Sequence, residues 1–291
     1  MNKKELLEKV KELRDRVMPG EPTEEELAAW PANESEFSIS HGSKKPIHVY
    51  RYAPEAMEAP VPLIIDYHGG GFIRGWSKKS GLFCRRMALT HQCIVWDVDY
   101  SLAPEDPFPA AVQEAYHAAE YAFRHAEELG IDPSRILLMG HSAGANLAAT
   151  VCMRTSETKA FRPVGLIMDY PPLDVFSDPA SKPQGEEDSA PADANIYNAS
   201  YCPNGEGRDP YASPVYANQS LLTEFPNTLI LTCQYDKLCK EGERFAAMLI
   251  EAGITVTARR FLNSHHGFTI ARTDEWEQST AQIDQFIRQV F

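Results

Sequence analysis

The chain has 291 residues, of which 43% are apolar and 24% charged, and its formal net charge is −13 at pH 7. This composition is ordinary for a globular protein, and an open α/β fold of this length often forms one domain. The negative charge excludes nucleic acid as a partner, because nucleic-acid binding requires a basic surface, and it disfavours anionic membrane surfaces. Residues 1–16 lack the apolar core of a signal peptide, and no apolar stretch approaches the roughly 20 residues that span a bilayer. We therefore expect a cytoplasmic protein with no membrane partner.

The N-terminal segment is predicted to contain two helices. Apolar residues recur at helical spacing between charges over residues 3–17, at Leu6, Leu7, Val10, Leu13 and Val17. Thr23, followed by three glutamates, opens a shorter helix with a capping-box pattern. We expect this segment either to pack on the body of the protein or to form part of a lid.

From residue 36 onwards, predicted strands alternate with predicted helices. The strands cover 47–52, 61–67, 93–100, 135–140, 164–169, 228–232 and 255–262, and the helices cover about 110–128, 143–154, 241–251 and 276–290. Val61 to Tyr67 is a nearly continuous apolar run, which is typical of a strand buried on both faces. The alternation predicts βαβ units and an α/β fold, with a mostly parallel central sheet and helices on both faces.

Residues 172–214 interrupt this alternation. They contain seven prolines, and seven acidic residues stand against two basic residues between Asp178 and Asp209. A loop of this length inside a compact domain is usually functional or disordered.

A pentapeptide at a predicted strand-to-helix turn matches the pattern G-x-S-x-G: Gly140-His141-Ser142-Ala143-Gly144. Such a turn holds the serine in a strained conformation and lifts its hydroxyl clear of the sheet, so the flanking positions must be small. The N-terminus of the following helix stabilises negative charge that develops nearby. An apolar strand directly before the motif and a helix of small residues directly after it make the match specific. The pattern predicts Ser142 as a nucleophile.

His68 is followed by three glycines and Phe72, directly after the predicted strand 61–67. Consecutive glycines are conformationally expensive, and they let backbone N–H groups turn towards a bound oxygen. Together with the amide of Ala143, these groups can hold a tetrahedral oxyanion, and each donor contributes about 2.7–4 kcal/mol. A phosphate cradle is the alternative, but the lysine-serine pair of a Walker motif is missing. We expect His68 to bond the backbone and support the loop rather than to catalyse.

A serine hydroxyl needs an adjacent base, and the base needs a carboxylate to orient it. In the predicted fold, the chain order is serine, acid, histidine. Asp236 follows one apolar strand, and His265 and His266 follow the next. Position favours Asp236 over the other acids that we considered, which are Asp169, Asp209 and Glu241. Position alone does not choose between the two histidines.

Together these motifs resemble the hormone-sensitive lipase family of α/β-hydrolase carboxylesterases over roughly residues 45–291. The landmarks are His68 to Phe72, Asp99 to Glu105, the elbow at 140–144, Asp209 to Pro214, Tyr235 to Leu238 with Glu241, and His266 to Phe268. The resemblance implies that Ser142, Asp236 and His266 are catalytic, because the histidine of the family directly precedes Gly-Phe. It implies that Gly70, Gly71 and Ala143 supply the oxyanion hole. It also implies a lid made of residues 1–35 and an insertion at about 172–214, on a catalytic domain covering 36–291.

Three residues depart from the family pattern: His141 replaces an aspartate, Ala145 a glycine and Ser101 an arginine. We expect a serine carboxylesterase that acts on small-molecule esters. The sequence does not decide its subfamily or its natural substrate. A deacetylase of acetylated sugars, a peptidase or amidase, and a non-catalytic ligand-binding module are the alternatives. The resemblance implies no metal or organic cofactor. The sequence does not decide whether the protein forms a homodimer. Because the proposed lid is short, acidic and rich in proline, we predict a preference for short acyl chains.

Overall fold

The computed structural model of the chain describes residues 2–42, 45–182 and 191–291. The strands are β1 (Asn33–Ile39), β2 (Ile47–Ala53), β3 (Val61–Tyr67), β4 (Ile94–Asp99), β5 (Ile131–His141), β6 (Gly165–Asp169), β7 (Asn227–Tyr235) and β8 (Val256–His265). In this part of the chain they form one eight-stranded sheet in the order β1-β2-β4-β3-β5-β6-β7-β8. The β1–β2 and β2–β4 pairs are antiparallel, and the other pairs are parallel.

Helices cover both faces of the sheet. They are α1 (Lys3–Asp15), α2 (Glu24–Ala28), α3 (Lys78–His91), α4 (Ala110–Arg124), α5 (Ala143–Thr158), α6 (Pro191–Tyr201), α7 (Cys239–Glu251), α8 (Phe268–Ala271) and α9 (Trp276–Val290). Apolar residues of α4, α5 and α7 pack against one face, and those of α3 and α9 pack against the other. The predicted α/β fold, with a mostly parallel sheet and helices on both faces, is confirmed.

The sequence patterns did not predict β1, α3, α6 and α8. Strand β1 pairs at the sheet edge and is mostly exposed, so it lacks the apolar alternation by which strands are recognised. Helix α6 lies in the stretch that we expected to be irregular, and its apolar periodicity is weak. It packs against α1, so the N-terminal segment and the insertion meet. Residues 183–190 of the expected insertion lie outside the described residues.

Side chains along β3 alternate between the two faces of the sheet. Leu63, Ile65 and Tyr67 belong to the core shared with α4 and α5, whereas Ile64 belongs to the core shared with α3. Asp66 points to the α3 side, where Cys84 of α3 donates to its carboxylate. No helix in the described ranges is long and apolar enough to cross a membrane.

Candidate active site

The turn between β5 and α5 has the geometry of a nucleophile elbow. Ser142 lies between the two elements with φ +50° and ψ −121°, a left-handed conformation that a serine rarely adopts. A Cβ atom on Gly140 would overlap the backbone of Gly144, and a Cβ atom on Gly144 would overlap the carbonyl group of Tyr67. The two glycines therefore permit the close approach of strand and helix that leaves the serine hydroxyl at the end of the sheet.

Three side chains from different strand ends form a hydrogen-bonded chain. The Ser142 hydroxyl lies 2.8 Å from Nε2 of His266, and Nδ1 of His266 lies 2.7 Å from Oδ2 of Asp236. Asp236 is buried, and its Oδ1 accepts a hydrogen bond of 3.0 Å from the amide of Leu238. A carboxylate can only accept, so Nδ1 of His266 donates to it and Nε2 is left to accept the serine proton. This arrangement can activate a hydroxyl for attack.

The neighbouring histidine has a different environment. Nδ1 and the backbone amide of His265 both lie 3.0 Å from Oδ2 of Asp274, and its ring stacks on that of Tyr235 at 5.0 Å. The structure thus brings His266, and not His265, to Ser142. The other candidate acids also lie elsewhere: Asp169 bonds His141, Glu241 accepts from the amides of Leu173 and Asp174, and Asp209 accepts from the amide of Tyr211.

The glycine loop after β3 lies beside the elbow. Gly70 has φ +137° and Gly71 has φ +61°, conformations in which glycine carries no steric cost. A Cβ atom on Gly69 would lie 3.1 Å from the backbone oxygen of His141, so the loop and the elbow are in close contact. Ala143 is the first residue of α5, where helix N–H groups have no partner within the helix. The glycine loop therefore lies against the elbow that carries Ser142 and Ala143.

His68 anchors the start of this loop. Its Nδ1 donates to the carbonyl oxygen of Gly69 at 2.8 Å, and its ring stacks on Tyr100 at 4.4 Å. The Tyr100 hydroxyl in turn donates to the carbonyl oxygen of His68 at 2.8 Å. Burial opposes the charged form, but the neighbouring carboxylates of Asp99 and Asp97 and the bond to Gly69 together outweigh it and raise the pKa of His68. The imidazole of His68 therefore supports the glycine loop.

Residues of the N-terminal segment and of α6 cover the glycine loop, and the sequence did not single them out. The ring of Tyr197 on α6 occupies the space that a Cβ atom on Gly71 would need, and Tyr201 stacks on Phe72 at 3.7 Å. Nε of Arg14 on α1 donates to the carbonyl oxygen of Ile73 at 2.8 Å. Both α1 and α6 therefore contact the chain at or next to the glycine loop.

A group of buried ionisable residues lies behind the elbow. Nδ1 of His141 is 3.0 Å from Asp169, and its Nε2 is 3.6 Å from Asp66. Burial opposes the imidazolium, but these two carboxylates outweigh it and raise the pKa of His141. Asp66 and Asp97 have their ligand atoms within 4.8 Å of each other and of the Cys84 thiol, a spacing that a metal ion would fit. The sequence signal for this buried group is Asp66, a charged residue within the otherwise apolar strand β3.

The other two departures from the family pattern also have defined surroundings. Ser101 donates to Glu114 through its amide at 2.6 Å and through its hydroxyl at 2.7 Å. Ala145 is fully buried in the first turn of α5.

The known proteins that this chain resembles agree with the geometry of the site. A family model for the alpha/beta hydrolase fold matches residues 64–270. The carboxylesterase NlhH of Mycobacterium tuberculosis is 30% identical over 241 residues, which cover 80% of this chain and 74% of that protein. The arylesterase of Saccharolobus solfataricus is 27% identical over 296 residues, with coverages of 99% and 90%. A solved structure of the Pyrobaculum calidifontis esterase has a TM-score of 0.81 at 28% identity, and the match covers 98% of this chain and 90% of that chain. The chain belongs to the α/β-hydrolase fold family, among its carboxylesterases of the hormone-sensitive lipase type, and it is a carboxylic-ester hydrolase.

Proposed function

We propose that the protein hydrolyses esters through an acyl-enzyme on Ser142, with His266 as general base and Asp236 as the acid that orients it. The observation that carries this proposal is the hydrogen-bonded chain from Ser142 through His266 to Asp236, which starts at a strained serine. A serine with an oriented imidazole at hydrogen-bond distance is the arrangement that acyl transfer requires.

The reaction proceeds in two halves. The Ser142 oxygen attacks the ester carbonyl carbon while Nε2 of His266 takes the hydroxyl proton. The resulting oxyanion accepts hydrogen bonds from the backbone amides of Gly70, Gly71 and Ala143, and each of these donors contributes about 2.7–4 kcal/mol. His266 then gives its proton to the leaving alkoxide, and the alcohol departs. Water, deprotonated by His266, attacks the acyl-enzyme, and collapse of the second oxyanion releases the acid and returns the proton to Ser142.

We further propose that residues 1–35 and the insertion at about 172–214 form a lid on a catalytic domain of residues 36–291. The supporting contacts are the Arg14 bond to the glycine loop, the Tyr197 ring beside Gly71, and the ion pair of Arg16 with Asp193 at 2.6 Å. Such a roof favours short acyl chains, from acetyl to butyryl, in water-soluble esters. A cytoplasmic location agrees with the six cysteines, all of which are free thiols.

A panel of p-nitrophenyl esters from acetate to palmitate, with acetylated sugars alongside, tests the substrate class. We expect kcat/KM to be highest for acetate or butyrate, and Ser142→Ala to lose activity by about 10⁴-fold or more on every ester. Faster hydrolysis of palmitate than of butyrate, with activation at an oil–water interface, would identify a lipase. Activity on the sugars alone would identify a deacetylase.

A further inference from the structure

One buried side chain next to the nucleophile bonds both ends of the insertion at about 172–214. Asn146 lies on α5, one helical turn after Ser142, and is fully buried. Its Nδ2 donates to the carbonyl oxygen of Pro172 at 2.8 Å and to that of Ala212 at 2.9 Å. These two acceptors lie at the start and near the end of the insertion. Both N–H groups of one amide therefore join the ends of the insertion to the helix that begins at the elbow.

The two ends of the insertion are also bonded to each other. The amide of Val215 donates to the carbonyl oxygen of Leu173 at 3.2 Å, and the amide of Val175 donates to Oγ of Ser213 at 2.8 Å. The start of the insertion is bonded to α7 as well, because Glu241 accepts from the amide of Leu173 at 2.6 Å. The ends of the insertion thus form one hydrogen-bonded unit, and any movement of one end is passed to the other.

A polar side chain at this position of α5 is costly. The other residues from 143 to 149 are alanine, glycine or leucine. Within the described part of the chain, Oδ1 of Asn146 has no hydrogen-bond donor. A buried polar atom without a partner destabilises the folded chain, whereas an apolar side chain of similar size would stabilise it. The two donated bonds offset this cost, and what they add is a fixed geometry between α5 and the insertion.

The insertion held in this way carries a residue that covers the glycine loop. Tyr197 on α6 lies against Gly71, in the space that a Cβ atom there would need. The backbone amide of Asn146 also donates to the carbonyl oxygen of Ser142 at 3.3 Å. One residue therefore contacts the nucleophile through its backbone and both ends of the insertion through its side chain. The position of α6 relative to the serine depends on this connection.

We propose that Asn146 is a positioning residue, which holds the insertion at a fixed distance from Ser142 and thereby sets the length of acyl chain that the site accepts. The inference rests on the proposed function, because it concerns the roof above the serine. Without the amide, the carbonyl oxygens of Pro172 and Ala212 lose their donor, and the ends of the insertion move towards water or another donor. The space beneath α6 then enlarges, and longer acyl chains fit.

The test compares kcat/KM for p-nitrophenyl butyrate with that for p-nitrophenyl octanoate in the parent, in Asn146→Leu and in Thr150→Val. Any loss that affects all esters equally cancels in this ratio. Asn146→Leu should lower the butyrate-to-octanoate ratio about tenfold, since a pocket discriminates one methylene group by about 10–200-fold. Thr150 is the matched control, because it is fully buried one turn further along α5 but donates to the carbonyl oxygen of Leu147, within the helix, at 2.8 Å. Its replacement should leave the ratio within about twofold.

Hydrogen exchange separates this role from a general loss of stability. In Asn146→Leu, the amides of α6 should exchange about tenfold faster than in the parent, and those of β5 at the parent rate. If this variant does not fold, Ser213→Ala replaces it in both measurements with the same expected directions, because it removes the bond to Val175 between the two ends.

An unchanged butyrate-to-octanoate ratio would overturn the inference, and so would an equal acceleration of exchange in α6 and β5. A parent in which a fluorophosphonate does not label Ser142 would instead refute the proposed function. The exchange rates would then still test whether Asn146 holds the insertion, because they do not depend on esterase activity.

Discussion

Replacing Asp236 by asparagine tests how the carboxylate orients His266. In the parent, Oδ2 accepts from Nδ1 of His266 at 2.7 Å and Oδ1 accepts from the amide of Leu238 at 3.0 Å. Asparagine has only one acceptor oxygen. If that oxygen keeps the bond to Leu238, the NH₂ group faces Nδ1 and forces the imidazole proton onto Nε2. An Nε2 that carries a proton cannot accept one from Ser142.

We therefore expect Asp236→Asn to lower kcat by about 10⁴-fold, as the wrong tautomer does in serine hydrolases generally, with little change in KM. This factor corresponds to about 5.5 kcal/mol of activation free energy. The assay is steady-state hydrolysis of p-nitrophenyl butyrate, with circular dichroism to show that the variant is folded.

Asp274→Asn is the matched control, because Asp274 bonds the adjacent His265 at 3.0 Å in a similar way. Its kcat should stay within about twofold of the parent, since surface substitutions away from the site have small effects. Retention of more than about a tenth of the parent kcat by Asp236→Asn would refute the tautomer argument. Equal losses in the two variants would refute the assignment of the acid.

Three further outcomes are expected. His266→Ala should be nearly inactive and His265→Ala largely active on p-nitrophenyl butyrate, and the reverse would show that the base is misassigned. Gly70→Ala should lower kcat by about 10²–10³-fold, because a Cβ atom there would overlap the carbonyl oxygen of Arg74 and displace the Gly70 amide from the oxyanion. Gly42→Ala, which also has a positive φ but meets no neighbouring atom, should leave kcat unchanged. Burial raises the pKa of Asp97 in the folded chain to about 8, whereas the pKa of an aspartate in the unfolded chain is about 4. The parent should lose up to about 1.4 kcal/mol of unfolding free energy per pH unit in this window, and Asp97→Asn should not. Urea denaturation at pH 5 and pH 8 measures this difference, and an equal pH dependence in both proteins would contradict the reasoning.

The features that sequence predicted well are those with a strong local signal. Val61–Tyr67 and Trp276–Val290 were placed at their exact bounds, because one is an apolar run and the other a strongly amphipathic helix. The capping box at Thr23 also lies where the pattern indicated. In each case neighbouring residues along the chain contain enough information, so no distant contact was needed.

The features that sequence missed depend on distant contacts. Tyr197 lies beside Gly71 only because α6 packs on α1, and its own segment has little apolar periodicity. His141 was noticed only as a departure from the family pattern. Its surroundings depend on Asp66 and Asp169 from two other strands, which no spacing along the chain reveals.

The most direct test of the central claim is the reaction of the protein with a p-nitrophenyl phosphonate ester, followed by peptide mass spectrometry. We predict one equivalent of p-nitrophenol released per chain, a single phosphonate adduct on Ser142, and a loss of esterase activity in proportion to the adduct. Complete inactivation with Ser142 unmodified, or full activity with Ser142 modified, would contradict the assignment of Ser142 as the nucleophile.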